Sequence, residues 1–335
     1  MTTNGSAPLL TVEGLVTRYP VPRGIVGSLA RRPKQRVHAV DGVSFTVGEG
    51  EMLALVGESG CGKTTTAQSV MRLVEPDAGT VRFRGQELTG LSNRALRPVR
   101  RQMQMIYQDP YESLDPRFRV RSTVEEPLLV HGVGSRAERR RLVEEALARA
   151  GLTPPELYVD RFPHELSGGQ RQRVAIASSL VLDPELLVAD EPVSMLDVSV
   201  RAGVLRLLDG LRQEGLGILM ITHDLSTAAH FANRIAVMYL GRIVEEGPAR
   251  EVVRNPQHPY TKALLSVVPK RDPHERSRPQ ILQGETPDPI HIPVGCRFHP
   301  RCPIAIPECK QVDPELRRTA GSQSPEHQAA CIRAW

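Results

Sequence analysis

Short apolar runs alternate with helical patterns from about residue 9 to residue 248. Residues 43–47 alternate apolar and polar side chains with period two, residues 52–56 are all apolar, and a helical pattern covers 63–74. Later apolar runs predict strands at 103–107, 186–189, 217–222 and 235–239, and helical patterns cover 199–214 and 225–231. Strands separated by helices of about 10–15 residues favour crossover connections and a largely parallel sheet covered on both faces. The predicted fold class is α/β.

The pattern changes at two further places. Between about 111 and 165 the strand signals stop, and Ser135-Arg136-Ala137-Glu138 fits a capping box that opens a helix, which predicts a helical insertion. After about residue 250, closely spaced prolines leave little room for long elements. We therefore predict an α/β domain over residues 1–250, with the insertion at about 111–165, and a separate irregular extension over 251–335.

The composition excludes several classes of protein. The chain has 335 residues, 40% of them hydrophobic, and a net charge of only +5 from 43 basic and 38 acidic residues, which argues against disorder. No apolar run approaches the roughly 18–20 residues that a membrane-spanning helix needs. The first residues lack the basic and apolar segments of a secretory signal, so we expect a cytosolic chain. Four of the five cysteines lie in the last 40 residues, and in the cytosol such a cluster favours metal binding over disulfides.

A phosphate-binding loop is predicted by the segment Gly57-Glu58-Ser59-Gly60-Cys61-Gly62-Lys63-Thr64, which matches G-x-x-x-x-G-K-[ST]. The segment follows a predicted strand and opens a predicted helix, as the motif requires. Glycines let backbone N–H groups surround phosphates, and the helix N-terminus favours anions. We expect these residues and Thr65 to bind ATP, with Lys63 at the β- and γ-phosphates and Thr64 on Mg²⁺. The alternative is a glycine-rich turn with a chance lysine.

Two carboxylates, Asp190 and Glu191, end the apolar run that starts at residue 186. Phosphoryl transfer depends mainly on positioning and charge neutralisation, so Asp190 is predicted to hold Mg²⁺ and Glu191 to polarise the attacking water. Alone, such a strand end is often only a pair of surface carboxylates. Together with the phosphate loop it predicts nucleotide hydrolysis.

Residues 166–173, Leu-Ser-Gly-Gly-Gln-Arg-Gln-Arg, resemble the signature motif of the ATP-binding cassette (ABC) family. Ser167 lies 104 residues after Lys63 and shortly before Asp190, which is the motif order of that family. The two glycines open a predicted helix at 170–180, and a helix N-terminus binds anions. In the family two cassettes pack head to tail, so the resemblance implies that four residues contact the ATP of a partner cassette: Ser167, Gly168, Gly169 and Gln170.

The resemblance covers residues 9–250 and implies a RecA-like core with an antiparallel β subdomain and the helical insertion. Tyr19 resembles the aromatic residue that stacks on adenine, although packing is an alternative role. Gln108 resembles the Q-loop glutamine, which touches Mg²⁺ or water and reports to a membrane partner. His223, 32 residues after Glu191, resembles the switch histidine at the γ-phosphate, and Asp197 resembles the D-loop aspartate.

Two further stretches narrow the resemblance. Residues 108–117, and His258-Pro259-Tyr260 with the cysteine-containing tail behind it, look like the ATPase subunits of bacterial dipeptide and oligopeptide permeases. The Pro-Tyr-x-Ser-Leu form at 110–114 and the extra residues between Tyr19 and Val37 resemble the second of the two unlike ATPases in these systems.

That resemblance implies a transport function and a set of partners. The chain would power import of di- and oligopeptides at the cytoplasmic face of the cell membrane. Its partners would be a second ABC ATPase in a heterodimer, two integral membrane permease subunits and an extracytoplasmic substrate-binding protein, with no nucleic acid. Importers of nickel, heme or sugar oligomers in the same subfamily are alternatives. A soluble regulatory or repair ATPase whose tail senses redox state is another.

The cysteine tail supplies four thiols, from Cys296, Cys302, Cys309 and Cys331. Four thiolates suit either a [4Fe–4S] cluster or structural Zn²⁺. Zinc sites usually use more closely spaced pairs of cysteines, and the peptide-permease resemblance implies an iron–sulfur cluster. We predict a [4Fe–4S] cluster, with zinc and unligated thiols as the alternatives.

Overall fold

The structure, a computed structural model, describes residues 7–22, 35–109, 114–267, 282, 284–322 and 324–335. The chain divides into two compact units, each taken here as far as it is described. The helical unit comprises 7–9, Val47–Met52 and Gly90–Thr222, and the phosphate-loop unit comprises Leu10–Thr46, Leu53–Thr89 and His223–Trp335. The Pro-Tyr-x-Ser-Leu form and the extra residues after Tyr19 fall largely outside the described residues.

The strands and helices of the described residues are numbered in chain order. The strands are β1 (Leu10–Pro20), β2 (Arg36–Val47), β3 (Met52–Val56), β4 (Ala78–Phe83), β5 (Gln86–Glu87), β6 (Met103–Ile106), β7 (Leu186–Asp190), β8 (Gly217–Thr222), β9 (Arg234–Tyr239), β10 (Arg242–Pro248), β11 (Arg317–Arg318) and β12 (Gln328–Ala329). The helices are α1 (Lys63–Val70), α2 (Asn93–Gln102), α3 (Val120–His131), α4 (Arg136–Arg149), α5 (Gly168–Leu180), α6 (Val198–Gln213), α7 (Leu225–Phe231), α8 (Ala249–Arg254) and α9 (Pro259–Ser266). Short 3₁₀ helices cover Pro155–Leu157, Pro163–Glu165, His299–Arg301 and Pro307–Lys310.

The phosphate-loop unit contains two groups of paired strands. One has the order β2-β1-β4-β5, with β4 antiparallel to both β1 and β5. In the other, β9 pairs in parallel with β3 and antiparallel with β10, and β12 and β11 continue from β10. Every residue of β3 is buried, so the loop that follows it begins from a fixed point in the core.

The helical unit combines parallel strands with a group of helices. β7 lies between β6 and β8 and pairs in parallel with both, and β7 and β8 are buried at every residue. Helices α3, α4 and α5 each contact the other two. Ser135 and Glu138 form the predicted capping box at the start of α4. The predicted α/β class is therefore confirmed, and α3 and α4 lie within the stretch predicted as a helical insertion.

Some element boundaries differ from the prediction. Helix α1 ends at Val70 rather than residue 74, because Arg72 has a left-handed backbone (φ 52°) that an α-helix cannot continue through. Helices α8 and α9 lie in the region expected to be irregular. None of the described helices is both long enough and apolar enough to cross a membrane.

The C-terminal residues pack against the strands of the phosphate-loop unit. β12 pairs with β10, and His327 donates from Nε2 to Glu245 Oε1 (2.7 Å) with both side chains fully buried. Arg297 donates to the carbonyl of Leu240 (2.7 Å) and pairs with Asp41. The expected separate cysteine-rich domain is not supported, because these buried polar contacts join the tail to β2 and β10 and it forms no compact unit of its own.

Candidate nucleotide-binding site

The predicted phosphate loop leaves β3 and enters α1 through a turn that only glycine fits. Gly62, the N-cap of α1, has φ 108°, and a Cβ there would lie 2.0 Å from the carbonyl oxygen of Ala39. A Cβ at Gly57 would lie 2.2 Å from the carbonyl oxygen of Met238. The loop is therefore held against the backbone of β2 and β9: space requires glycine at both positions, and the left-handed backbone requires it at Gly62 as well.

Lys63 folds back into this loop. Its ammonium donates to the carbonyl oxygens of Gly57 (2.8 Å) and Glu58 (2.9 Å), and the side chain is buried. Thr64, at the next position of α1, is exposed. The loop thus surrounds a fixed positive charge at the N-terminus of a helix, an arrangement suited to a phosphate group.

Glu58, a variable position of the motif, is held at each of its polar groups. Its N–H donates to the hydroxyl of Tyr260 (2.9 Å), and its carbonyl accepts from Lys63. Its carboxylate accepts from Arg301 through both oxygens (2.8 and 3.2 Å) and from Thr286 Oγ1 (3.1 Å). Sequence reasoning missed these contacts, because Tyr260 and Arg301 lie 202 and 243 residues further along the chain.

Tyr19 and His223 belong to the same unit as the loop. Tyr19 lies half-buried at the end of β1. His223 is exposed and immediately precedes Asp224, the N-cap of α7, whose carboxylate accepts from the N–H groups of Ser226 (2.9 Å) and Thr227 (3.3 Å). This cap fixes the backbone that carries His223.

The helical unit places the predicted hydrolytic residues at the ends of two neighbouring strands. Asp190 is buried at the end of β7, and Glu191 follows it with φ 45° while donating its N–H to the carbonyl of Ile221 in β8 (3.0 Å). Gln108, which follows β6, donates from Nε2 to Glu191 Oε2 (3.3 Å). The structure therefore brings Gln108 and Glu191 together.

The signature segment forms the N-terminus of α5. Ser167 accepts from the N–H of Gln170 (3.3 Å) and donates its own N–H to the Gln170 side chain (2.9 Å), which is a complete capping box. A Cβ at Gly169 would lie 2.4 Å from Val200 Cγ1, so α5 approaches α6 closely there. Asp197, exposed, is the N-cap residue of α6.

The four tail cysteines line one cavity, together with His258, Phe298 and His299 among others. Burial, together with the neighbouring thiols, raises the pKa of Cys296 to about 11, and burial raises those of Cys302 and Cys331. Within the described ranges, no three His, Cys, Asp or Glu side chains are arranged to hold a metal ion. The predicted [4Fe–4S] cluster and the zinc alternative are not supported by this geometry: the thiols share a cavity, but binding would require them to converge and lose their protons.

Comparison with known families agrees with this geometry. Residues 40–194 match the ABC transporter family, and residues 244–309 match the family described as oligopeptide/dipeptide transporter, C-terminal region. The phosphate loop of one unit and the signature helix of the other both fall within the first match. The chain belongs to the ABC transporter family of ATP-binding proteins, and it is an ATPase of that family.

Individual relatives place the chain within that family. It is 46% identical over 336 residues to the oligopeptide transport ATP-binding protein AppF of Bacillus subtilis, covering 99% of each chain. It is 45% identical over 311 residues to the di/tripeptide transport ATP-binding protein DppF of Pseudomonas aeruginosa, covering 92% of this chain and 94% of that one.

A solved structure supports the fold. The dimeric post-hydrolysis state of the ATP-binding cassette MJ0796, bound to ADP and Pi, is 29% identical, with a TM-score of 0.62. The aligned region spans 72% of this chain and 99% of the MJ0796 chain.

Proposed function

We propose that this chain is the ATP-hydrolysing subunit of an importer that carries di- and oligopeptides across the cytoplasmic membrane. The observation that carries the proposal is that one chain matches both the ABC transporter family and the C-terminal region of oligopeptide/dipeptide transporters. The relatives named for oligopeptide and di/tripeptide transport support peptides over nickel, heme or sugar oligomers as cargo.

In the phosphate-loop unit, ATP is the proposed ligand of the loop. Lys63 reaches the β- and γ-phosphates by exchanging its two carbonyl partners for phosphate oxygens, and the exposed Thr64 binds Mg²⁺. Tyr19 stacks on adenine, and His223 contacts the γ-phosphate. Mg²⁺ neutralises the charge that develops during phosphoryl transfer.

In the helical unit, Glu191 is the proposed residue that polarises the attacking water. Its hydrogen bond to Gln108 supports this role, because it orients the carboxylate at the end of β7. Asp190 and Gln108 contribute oxygen ligands of the Mg²⁺ shell, as hard cations prefer.

The chain acts in a heterodimer with a second ABC ATPase. The capped N-terminus of α5 (Ser167, Gly168, Gly169, Gln170) binds the ATP of the partner cassette, and Asp197 forms part of the dimer contact. The exposed apolar side chains of Met195 (59%) and Val198 (80%) on either side of Asp197 support a contact surface there.

Two integral membrane permease subunits place the chain at the cytoplasmic face of the membrane, and an extracytoplasmic binding protein delivers the peptide. The membrane subunits dock near Gln108 and the helical insertion. Exposed apolar side chains on that insertion support this docking surface: Leu129, Val130 and Leu157 are each about half exposed.

We further propose that residues 251–335 are an extension of the oligopeptide-permease type, whose four thiols hold a [4Fe–4S] cluster, with zinc as the alternative. The proposal follows from the resemblance to the peptide permeases; the four cysteines line one cavity, and their side chains would have to converge there for a cluster to form. Iron, sulfide and zinc analysis of anaerobically purified protein tests it. Stoichiometric zinc without iron, or neither metal, would contradict the cluster.

Co-purification tests the transport function. A tagged chain isolated from detergent-solubilised membranes should bring down a second cassette and two integral membrane proteins. Recovery of nucleic acid without integral membrane proteins would contradict the proposal and favour a regulatory or repair ATPase. A Glu191→Gln chain, which stabilises the ATP-bound dimer, should increase recovery of the second cassette.

A further inference from the structure

The tail contributes directly to the phosphate loop, beyond any role in packing. Arg301 forms a two-pronged ion pair with the Glu58 carboxylate, while Thr286 Oγ1 donates to one of the same carboxylate oxygens. Arg301 is almost buried (9% of its side chain exposed), whereas Glu58 is 30% exposed. A planar guanidinium matched to both oxygens fixes the carboxylate in direction as well as in charge.

An acidic side chain inside a phosphate loop creates an electrostatic problem. ATP brings several negative charges to the loop, and like charges at close range disfavour binding. The Lys63 ammonium donates to the carbonyl of Glu58 itself (2.9 Å), so the carboxylate belongs to a residue that this ammonium already contacts. A counter-charge beside the Glu58 carboxylate therefore leaves the Lys63 charge to pair with the phosphates.

The position of Arg301 is itself fixed by a buried aromatic group. Phe298, three residues earlier, packs against Tyr239 and Tyr260 with ring centroids 5.2 and 5.5 Å apart. The Arg301 guanidinium lies 5.9 Å from the centre of the Tyr239 ring. The Arg301 guanidinium carries its charge because arginine stays protonated in proteins.

We propose that Arg301 is a positioning residue for ATP binding: it neutralises Glu58 and holds the carboxylate away from the phosphates. The proposal rests on the proposed binding of ATP by this phosphate loop. Tyr260 assists by fixing the Glu58 N–H from the other side. The tail is thus part of the nucleotide site of its own chain.

The test measures the dissociation constant of MgATP for the full-length chain, and KM and kcat for ATP in the permease complex. Arg301→Gln should raise Kd and KM about five- to twentyfold, the size expected when one charge near the phosphates loses its partner, while kcat changes less than about twofold. Arg301→Lys should give a smaller increase of about two- to fivefold, because it keeps the charge without the planar fork. Arg318→Gln, which removes the same charge from an exposed position of β11, should change Kd less than about twofold.

A double substitution separates electrostatics from packing. In a Glu58→Gln background, Arg301→Gln should change Kd less than about twofold, since no carboxylate then needs neutralising. Two results would overturn this inference and leave the proposed function standing. One is an equal increase in Kd from Arg301→Gln in the wild-type and Glu58→Gln backgrounds; the other is an unchanged Kd in folded Arg301→Gln and Arg301→Lys. If the wild-type chain bound no MgATP, the proposed function itself would fail and this inference with it. Thermal unfolding of each variant confirms that the chain is folded.

Discussion

Glu191 adopts a left-handed backbone at the end of β7, with its carboxylate hydrogen-bonded to Gln108. A non-glycine residue in this conformation is strained, and such strain occurs where a side chain must point in a particular direction. The strand end therefore presents this carboxylate in one defined orientation. The proposed hydrolytic role depends on that orientation and on the negative charge.

Glu191→Gln should separate ATP binding from hydrolysis. The amide keeps the shape and a hydrogen-bonding oxygen but removes the negative charge, so turnover should fall by about a hundredfold or more. Binding of MgATP should change less than about threefold, because Lys63 and the loop are untouched. Steady-state ATPase assays and equilibrium binding check both quantities. Glu156→Gln, an exposed site of the same unit, is the matched control, and wild-type turnover in Glu191→Gln would refute the role.

His258 combines a structural role with an unusual pKa. It is buried at the N-cap of α9, where Nδ1 accepts from the N–H of Tyr260 (3.1 Å). Burial, together with the positive charge of Lys262, lowers the pKa of His258 to about 4. The negative charge of Glu245 acts in the opposite direction but does not outweigh burial. An imidazole that must accept through Nδ1 and cannot be solvated stays neutral in the folded chain.

This arrangement predicts acid destabilisation. The unfolded chain takes up a proton at His258 near pH 6.5 and the folded chain only near pH 4, so the stabilisation is complete above about 6.5 and is lost as the pH falls. Between pH 6.5 and 5 the free energy of unfolding should fall by about 2 kcal/mol more in the wild type than in His258→Asn, which keeps a cap acceptor. Chemical denaturation of the full chain at several pH values measures this. Equal pH dependence in the two chains would contradict it.

At the scale of elements, α4 is stabilised at its start by a reciprocal cap. Ser135 Oγ accepts from the N–H of Glu138 (3.3 Å), and Glu138 accepts from the N–H of Ser135 (3.4 Å). Ser135→Ala should lower the free energy of unfolding by about 1 kcal/mol, whereas Ser135→Asn should lower it by less than about 0.5 kcal/mol. ATPase activity per folded molecule should stay unchanged in both variants. Equal losses of stability in the two would exclude the cap as the cause.

The elements that sequence patterns predicted well are those with strong local signals. The buried runs became β3, β7 and β8, and the serine with glutamate three residues later became the cap of α4. β11 and β12 have two residues each and carry no periodicity. The pairing of β12 with β10, and of β11 with β12, depends on tertiary contacts, above all the buried Glu245–His327 pair, which no local pattern encodes.

For the candidate site, motif spacing pointed to the phosphate loop, the signature segment and the carboxylate of Glu191, for which hydrolysis is the proposed role. It could not locate Tyr260 and Arg301, because their partner Glu58 occupies a variable position of the motif and lies more than 200 residues away. The sequence also grouped the four tail cysteines as a metal site. In the structure they line one cavity, but spacing alone does not determine whether their side chains converge, since that depends on rotamers and packing.

At the scale of the whole molecule, hydrogen bonds join the C-terminal segment to β10 and to the phosphate loop. Glu245 accepts hydrogen bonds from the N–H groups of Gln257 (2.7 Å) and His258 (2.9 Å), which ties the His-Pro-Tyr segment to β10. The same segment supplies Tyr260 to the phosphate loop. The region that marks the oligopeptide/dipeptide family is therefore built into the nucleotide-binding part of the chain.

The most direct test of the proposed import function measures peptide transport itself. The complex of this chain with its partner cassette and membrane subunits is reconstituted into liposomes, with the extracytoplasmic binding protein, and accumulation of a labelled di- or oligopeptide is followed with MgATP on the cassette side. Accumulation should require MgATP and should be lost with Glu191→Gln in this chain. ATP hydrolysis without any peptide accumulation, or accumulation that is insensitive to Glu191→Gln, would contradict the account.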